Sequence, residues 1–300
     1  MVFNPEYMGL RDQAMQTSIE KLISQATQGS REALEEVLHR IQDPVYAIAL
    51  RMLFHPADAE DATQEILIKV ITHLEGFRFE GPFLAWVLRI AANHLKADRK
   101  SRVKKMQHMT MDKAQEIIDR AEARGWFARP MEAPEPILEA EMRSACTQAL
   151  LQALDREHRL AFVLGAIIEV SSTEGAYIQE ISPEAFRKRL SRARLRIKDF
   201  LSANCGFFGA SNRCNCTGVL VGHVQQGWID PQRPVFVAAS GKSENPIRLR
   251  SYLKELDELS RITALYKSVL DSKSSTDFAA IVKTLVEEKN YRILSDPQVH

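Results

Sequence analysis

From Ala185 to Lys198 the chain carries seven cations, Arg187, Lys188, Arg189, Arg192, Arg194, Arg196 and Lys198, and no acid. Phe186, Leu190, Ala193 and Ile197 recur through the same stretch at helical spacing. That period makes an α-helix with one narrow apolar stripe and basic side chains in every other direction. Like charges packed this densely repel one another, and an anionic partner is needed to offset the repulsion. Ser182 is a good N-cap for this helix, with Pro183 at the first helical position, where its missing N–H costs nothing. Upstream, Ser171 and Glu174 have the spacing of a capping box, which starts a short helix to about Gln179. Glu180-Ile181-Ser182 then forms the turn. Two helices joined in this way have the form of a helix-turn-helix. An ordinary solvated face would mix its signs, so the pattern favours nucleic acid, with the second helix in the major groove.

A second basic helix is expected from Phe83 to about Lys100. Phe83, Trp86, Val87 and Ile90 give it a buried face, while Arg89, Asn93, Lys96 and Lys100 line up on another. It runs on into Arg102, Lys104 and Lys105, and residues 84–105 hold seven cations against one acid, Asp98. The loop before it, Gly76 to Pro82, carries Phe77, Arg78 and Phe79. Aromatic rings beside a cationic groove suit an unpaired strand, because every base offers a face to stack on. Trp86 reads as core, and the two loop phenylalanines read equally as core or as stacking groups. Further upstream, a helix from about Ala59 to Leu74 packs through Leu67, Val70, Ile71 and Leu74. It turns Asp58, Asp61 and Glu65, with Gln64 nearby, to the opposite side. No nucleophile, histidine or metal-ligand spacing accompanies these acids. They read as a docking face for a basic protein surface, or as a solvated face, and the chain is not expected to be an enzyme.

The formal charge of +1, from 40 basic and 39 acidic residues, excludes a globally basic coat and conceals two cationic helices on an acidic body. The longest apolar runs, such as Val45 to Leu50, fall far short of the roughly 18 to 20 residues of a membrane helix. The start MVFNPEYMGLRD lacks a basic segment followed by an apolar one. A cytoplasmic protein with no membrane partner is expected. The fold class is all-α, in two helical domains joined by a linker. The expected divisions are 1–105, a linker at 106–136 with a loose helix at Met111 to Arg124, 137–203, and a C-terminal extension at 204–300. After Leu201 glycines and cysteines arrive abruptly. Cys205, Cys214 and Cys216 can supply three thiolates to zinc, with His223 as a fourth ligand; thiol redox sensing and unliganded cysteines are the other readings. Cys146 reads as a small core residue, and no cofactor other than this zinc is expected. The amphipathic tail YLKELDELSRITALYKSVL is expected to pack against the helical modules or to bind a regulator.

Taken in order, three of these segments resemble the bacterial RNA polymerase sigma factors of the extracytoplasmic-function type. DAEDATQEILIKVITHL (Asp58 to Leu74) is similar to the family's core-binding helix. FRFEGPFLAWVLRIAANHLKADRKSR (Phe77 to Arg102) is similar to its promoter-melting segment, and Leu154 to Leu201 resembles its C-terminal helix-turn-helix domain. Together they cover about half the chain. The resemblance implies that Asp58, Asp61, Gln64 and Glu65 bind core RNA polymerase. It implies that Phe77, Arg78, Phe79, Arg89, Asn93 and Lys96 capture the unwound minus-10 strand of promoter DNA, with a base extruded. It further implies that Arg187, Lys188, Arg189 and Arg192 grip the minus-35 duplex, and that an anti-sigma factor is a further partner. The sequence departs from the family at Glu180, where the turn usually has glycine, and at Gly175, in place of a core aliphatic, which is expected to weaken the first helix of the motif. The alternative is a helix-turn-helix regulator without sigma activity, which leaves the acidic helix and the aromatic loop unexplained.

Overall fold

The computed structural model describes residues 18–97, 109–128, 136–209, 211–237, 253, 256–269 and 276–288. After α1, over residues 18–27, Ser30 accepts a hydrogen bond from Ala33 N and opens α2, Arg31–Leu53. His55 caps α3, Pro56–Thr72, with proline at its first position; a 3-10 turn, Leu74–Gly76, leads through the aromatic loop to α4, Phe83–Ala97. These three helices pack together around Leu34, Ile48, Leu67, Val70, Val87 and Leu88, all at most 1% exposed. The third helix therefore starts three residues earlier than expected, and Leu74 belongs to the following turn. Lys100, Arg102, Lys104 and Lys105 lie outside the described residues.

The linker contains a true helix, α5, Met111–Ala123, capped by Thr110 and followed by a 3-10 turn at Trp126–Ala128. Then come α6, Pro136–Gln152; α7, Arg156–Phe162; a π turn, Val163–Ile168; α8, Ser172–Gln179; and α9, Pro183–Asn204. The extension supplies α10, Cys216–Gln225; α11, Glu258–Val269; and α12, Phe278–Glu288. Among the described residues the β structure is one isolated bridge, Cys205 to Cys214, so the fold is all-α. No helix among them is long and apolar enough to cross a membrane.

The two basic helices belong to one packed body. A helix end leaves its last carbonyls short of intrahelical donors, and side chains of α6 and α7 reach those of α2. Gln148 Nε2 donates to Leu50 O at 2.8 Å, and Arg159 Nη1 donates to Met52 O at 3.0 Å. Arg159 also donates to the carbonyls of Leu151, Gln152 and Leu154. Burial pushes its guanidinium pKa down to about 10, which leaves it charged at neutral pH.

The tail packs on the helical modules, as its amphipathic pattern predicts. α11 lies on α6, α9 and the π turn, and α12 on α2 and α3. The Phe278 ring sits 5.8 Å from that of Tyr46, and Ala279 N donates to Gln42 Oε1 at 3.1 Å. The buried carboxylate of Glu141 on α6 accepts hydrogen bonds from the backbone N–H groups of Val235, Phe236 and Val237, anchoring the segment after α10.

Candidate nucleic-acid interface

The capping box forms as its spacing requires: Glu174 N donates to Ser171 Oγ at 3.2 Å, and Ser171 N to Glu174 Oε2 at 2.7 Å. Ser182 Oγ accepts from Ala185 N, starting α9 at Pro183. Phe186, Ala193 and Ile197 are at most 1% exposed, which confirms the stripe. Gly175 has a partner in this stripe. A Cβ added there would meet Phe186 Cζ at 2.3 Å, so the Phe186 ring fills the space an aliphatic at 175 would take. The space left by the missing side chain at Gly175 is thus filled from the opposite helix.

Arg187, Lys188 and Arg192 are exposed on the outer face of α9. Arg189 is half-buried: its Nη2 lies 2.5 Å from Glu157 Oε2, and its Nη1 donates to Gln179 Oε1 at 2.9 Å. Lys188 pairs with Glu184 at 2.7 Å, Arg196 with Asp155 at 3.3 Å, and Arg194 donates to Gly165 O. Part of the repulsion that seemed to demand an outside anion is therefore offset by acids on α7, on its cap and on the first turn of α9. Those acids were not visible in the basic stretch because they come from elsewhere in the chain or just before it.

In the aromatic loop the two phenylalanines divide. Phe77 is 7% exposed and packs against Phe83 and Trp86 at 5.2 and 5.5 Å between ring centroids, whereas Phe79 is 47% exposed. Trp86, expected as core, is only half-buried, because one side stacks on Phe83 and the other lines a hollow. That hollow, about 470 Å³, lies between the loop and α8, with Arg78, Thr173, Glu174 and Tyr177 in its wall. Arg78 and Asn93 are exposed; Lys96 is half-buried and its carbonyl accepts from Arg156 Nη1 at 2.9 Å. Arg89 reaches across to the helix-turn-helix: its Nη2 is 2.6 Å from Glu180 Oε1, and its guanidinium carbon lies 4.8 Å from the Tyr177 ring centroid. Glu180 has φ 60° and ψ 45°, the left-handed conformation that glycine adopts most easily.

On α3, Asp61 and Glu65 are exposed, while Asp58 and Gln64 are half-buried; Ala62, Ile66 and Leu67 back them in the core. Glu65 Oε2 lies 3.6 Å from His94 Nε2. Asp58 Oδ2 is buried without a hydrogen-bond partner among the described residues.

All four cysteines are present as thiols rather than disulfides. Cys205 is the C-cap of α9, Cys214 pairs with it across the bridge, and Cys216 opens α10. Cys146 on α6 packs against the apolar core, as expected, and burial, then the neighbouring Cys214 and Cys205, push its thiol up. His223 Nδ1 bonds Val219 O at 2.9 Å, and burial pushes its pKa down. Among the described residues no group of three or more His, Cys, Asp or Glu side chains is placed to hold a metal ion.

An acidic helix, an aromatic loop leading into a cationic helix, and a helix-turn-helix stand together in one all-α body, the arrangement expected of a transcription initiation factor of the sigma class. Residues 37–104, which span α3, the loop and α4, match the family described as sigma-70 region 2. The sigma factor SigE of Mycolicibacterium smegmatis is 30% identical over 177 residues, covering 58% of this chain and 64% of that protein. SigW of Bacillus subtilis is 27% identical over 184 residues, covering 60% and 95%. CnrH of Cupriavidus metallidurans is also 27% identical over 184 residues. Its structure in complex with the cytosolic domain of CnrY overlays with a TM-score of 0.43 at 24% identity, covering 61% of this chain and 96% of that one. The match over residues 37–104 and the similarity to SigE, SigW and CnrH support a sigma factor of the extracytoplasmic-function type that directs transcription initiation. A regulator without sigma activity would need only α8 and α9, and leaves the match over 37–104 unexplained.

Proposed function

We propose that Asp61 and Glu65, with Asp58 and Gln64 beside them, dock on core polymerase. Phe79, Arg78, Arg89, Asn93 and Lys96 then take the unwound minus-10 strand, with Phe77 as the buried support of the loop. Arg187, Lys188 and Arg192 grip the minus-35 duplex, and Arg189 positions α9 through Glu157 and Gln179. The observation that carries this assignment is exposure: Asp61 and Glu65 stand open on α3 and Arg187, Lys188 and Arg192 on α9, each helix backed by a buried apolar stripe. An anti-sigma factor covering either face is part of the same proposal, as is action in the cytoplasm.

Transcription in vitro with purified core polymerase tests it. Arg187→Ala should weaken binding of minus-35 duplex and spare core binding, while Asp61→Ala should do the reverse; failure to bind core, or to start at a promoter, removes the assignment. A zinc ion on Cys205, Cys214 and Cys216 is decided separately by metal analysis of protein purified without chelator, where a stoichiometry near zero removes it.

A further inference from the structure

The segment joining α9 to α10 brings Cys205 and Cys214 into register. Gly206 N donates to Cys214 O at 3.0 Å and Cys214 N donates to Asn204 O at 3.2 Å, which is the pattern of a parallel bridge pairing Cys205 with Cys214. Residues paired in this way stand about 4.8 Å apart, inside the roughly 4.4 to 6.8 Å between Cα atoms that a disulfide spans. Described residues on both sides of position 210 fold back on Cys205. Phe208 N and Gly209 N donate to Cys205 O, and Asn212 Nδ2 donates to Ser202 O and Cys205 O, both at 2.9 Å. The close pass depends on Gly206, since a Cβ there would stand 2.9 Å from Cys214 O. Both cysteines are half-buried.

We propose that Cys205 and Cys214 form a reversible dithiol–disulfide pair, oxidised by a low-molecular-weight disulfide, which fastens the C-terminal extension to the end of the DNA-reading helix. In the first step one thiolate attacks the small disulfide, forming a mixed disulfide and releasing one small thiol. In the second, the facing thiolate attacks the protein-side sulfur and expels the second small thiol. Two protein thiols become one disulfide, and one small disulfide becomes two thiols. The position gives the bond its effect: Cys205 caps α9, whose last residue Asn204 donates to Gln115 Oε1 of α5 at 2.8 Å, while α10 begins two residues after Cys214. Oxidation adds a covalent tie to the two backbone hydrogen bonds at this junction. Burial and the neighbouring thiols push Cys214 up, so the reduced form gains no stabilised thiolate that would favour it.

The test uses the full chain, purified without chelator and equilibrated in glutathione buffers of stepped oxidised-to-reduced ratio, then alkylated and weighed intact. Two of the four thiols should be lost together as the ratio rises and regained on reduction, with the melting temperature of the oxidised form higher by about 5 °C. Arg213 lies between the two cysteines, so trypsin leaves them on separate peptides that stay joined only through the disulfide. Cys205→Ser and Cys214→Ser should each abolish the step, and Cys146→Ala should not. Four alkylated thiols across the whole range would overturn the proposal. So would a wild-type link through Cys146 or Cys216, or zinc at one per chain protecting these thiols. The readout is thiol chemistry, so it stands or falls apart from the transcription assignments.

Discussion

At Gly175 two effects of opposite sign meet. Replacing a mid-helix glycine by alanine gains up to about 1 kcal/mol of helix propensity. The added methyl, however, would enter the Phe186 ring at 2.3 Å, and overpacking of a filled core costs about 1–3 kcal/mol. Gly175→Ala is therefore expected to lower stability by about 1–2 kcal/mol in chemical denaturation, and adding Phe186→Leu should recover part of the loss. Glu180 gives the converse case. Its left-handed backbone costs about 1 kcal/mol, while its ion pair with Arg89, whose side chains are 51% and 38% exposed, returns about 0–1 kcal/mol. Glu180→Gly removes both and should melt at or slightly above the wild type. Glu180→Ala keeps the strain, loses the pair and should melt below it.

At the scale of elements, the join between α7 and α9 runs through Asp155. It caps α7 by accepting from His158 N at 3.0 Å and meets Arg196 of α9 at 3.3 Å. Burial alone raises its pKa, but the hydrogen bonds from His158 and the Arg196 guanidinium outweigh this and hold the carboxyl below the ordinary aspartate value. A depressed carboxyl contributes stability above its unfolded pKa, near 4, and loses it as pH falls through the folded value. Asn caps helices about as well as Asp. Asp155→Asn should thus destabilise at neutral pH, with the difference from wild type shrinking in melts below about pH 4. The helices themselves were legible because their signals are local: Ser171 with Glu174, Ser182 with Pro183, and the period of Phe186, Ala193 and Ile197. The shared acidic face of Asp61 and Glu65 was legible for the same reason. What escaped depends on distant neighbours. The burial of Phe77 by Phe83 and Trp86, the commitment of Arg189 to Glu157, and the approach of Cys146 to the other cysteines are set by how helices pack, which no single period records.

For the molecule as a whole, the question is whether the tail is an appendage or part of the folded unit. Phe278, Ala279 and Val282 of α12 are at most 1% exposed, against a face of α2 and α3 that includes Tyr46, also 1% exposed. Gln42, Glu35 and Glu60 bond to Ala279 N, Lys283 and Thr276 of the same segment. Because α6 and α7 cap the far end of α2, both helical modules and the tail load onto that one helix, and a single cooperative transition is expected in calorimetry. Truncating a buried phenylalanine costs about 3–5 kcal/mol, whereas surface substitutions stay within about 0.5 kcal/mol. Phe278→Ala should therefore lower the melting temperature of the whole transition nearly as far as deleting residues 276–300 does. Ile281→Ala, on the exposed side of the same helix at 36%, should leave it almost unchanged. A low-temperature shoulder in Phe278→Ala, with the main transition unmoved, would instead show the tail melting by itself.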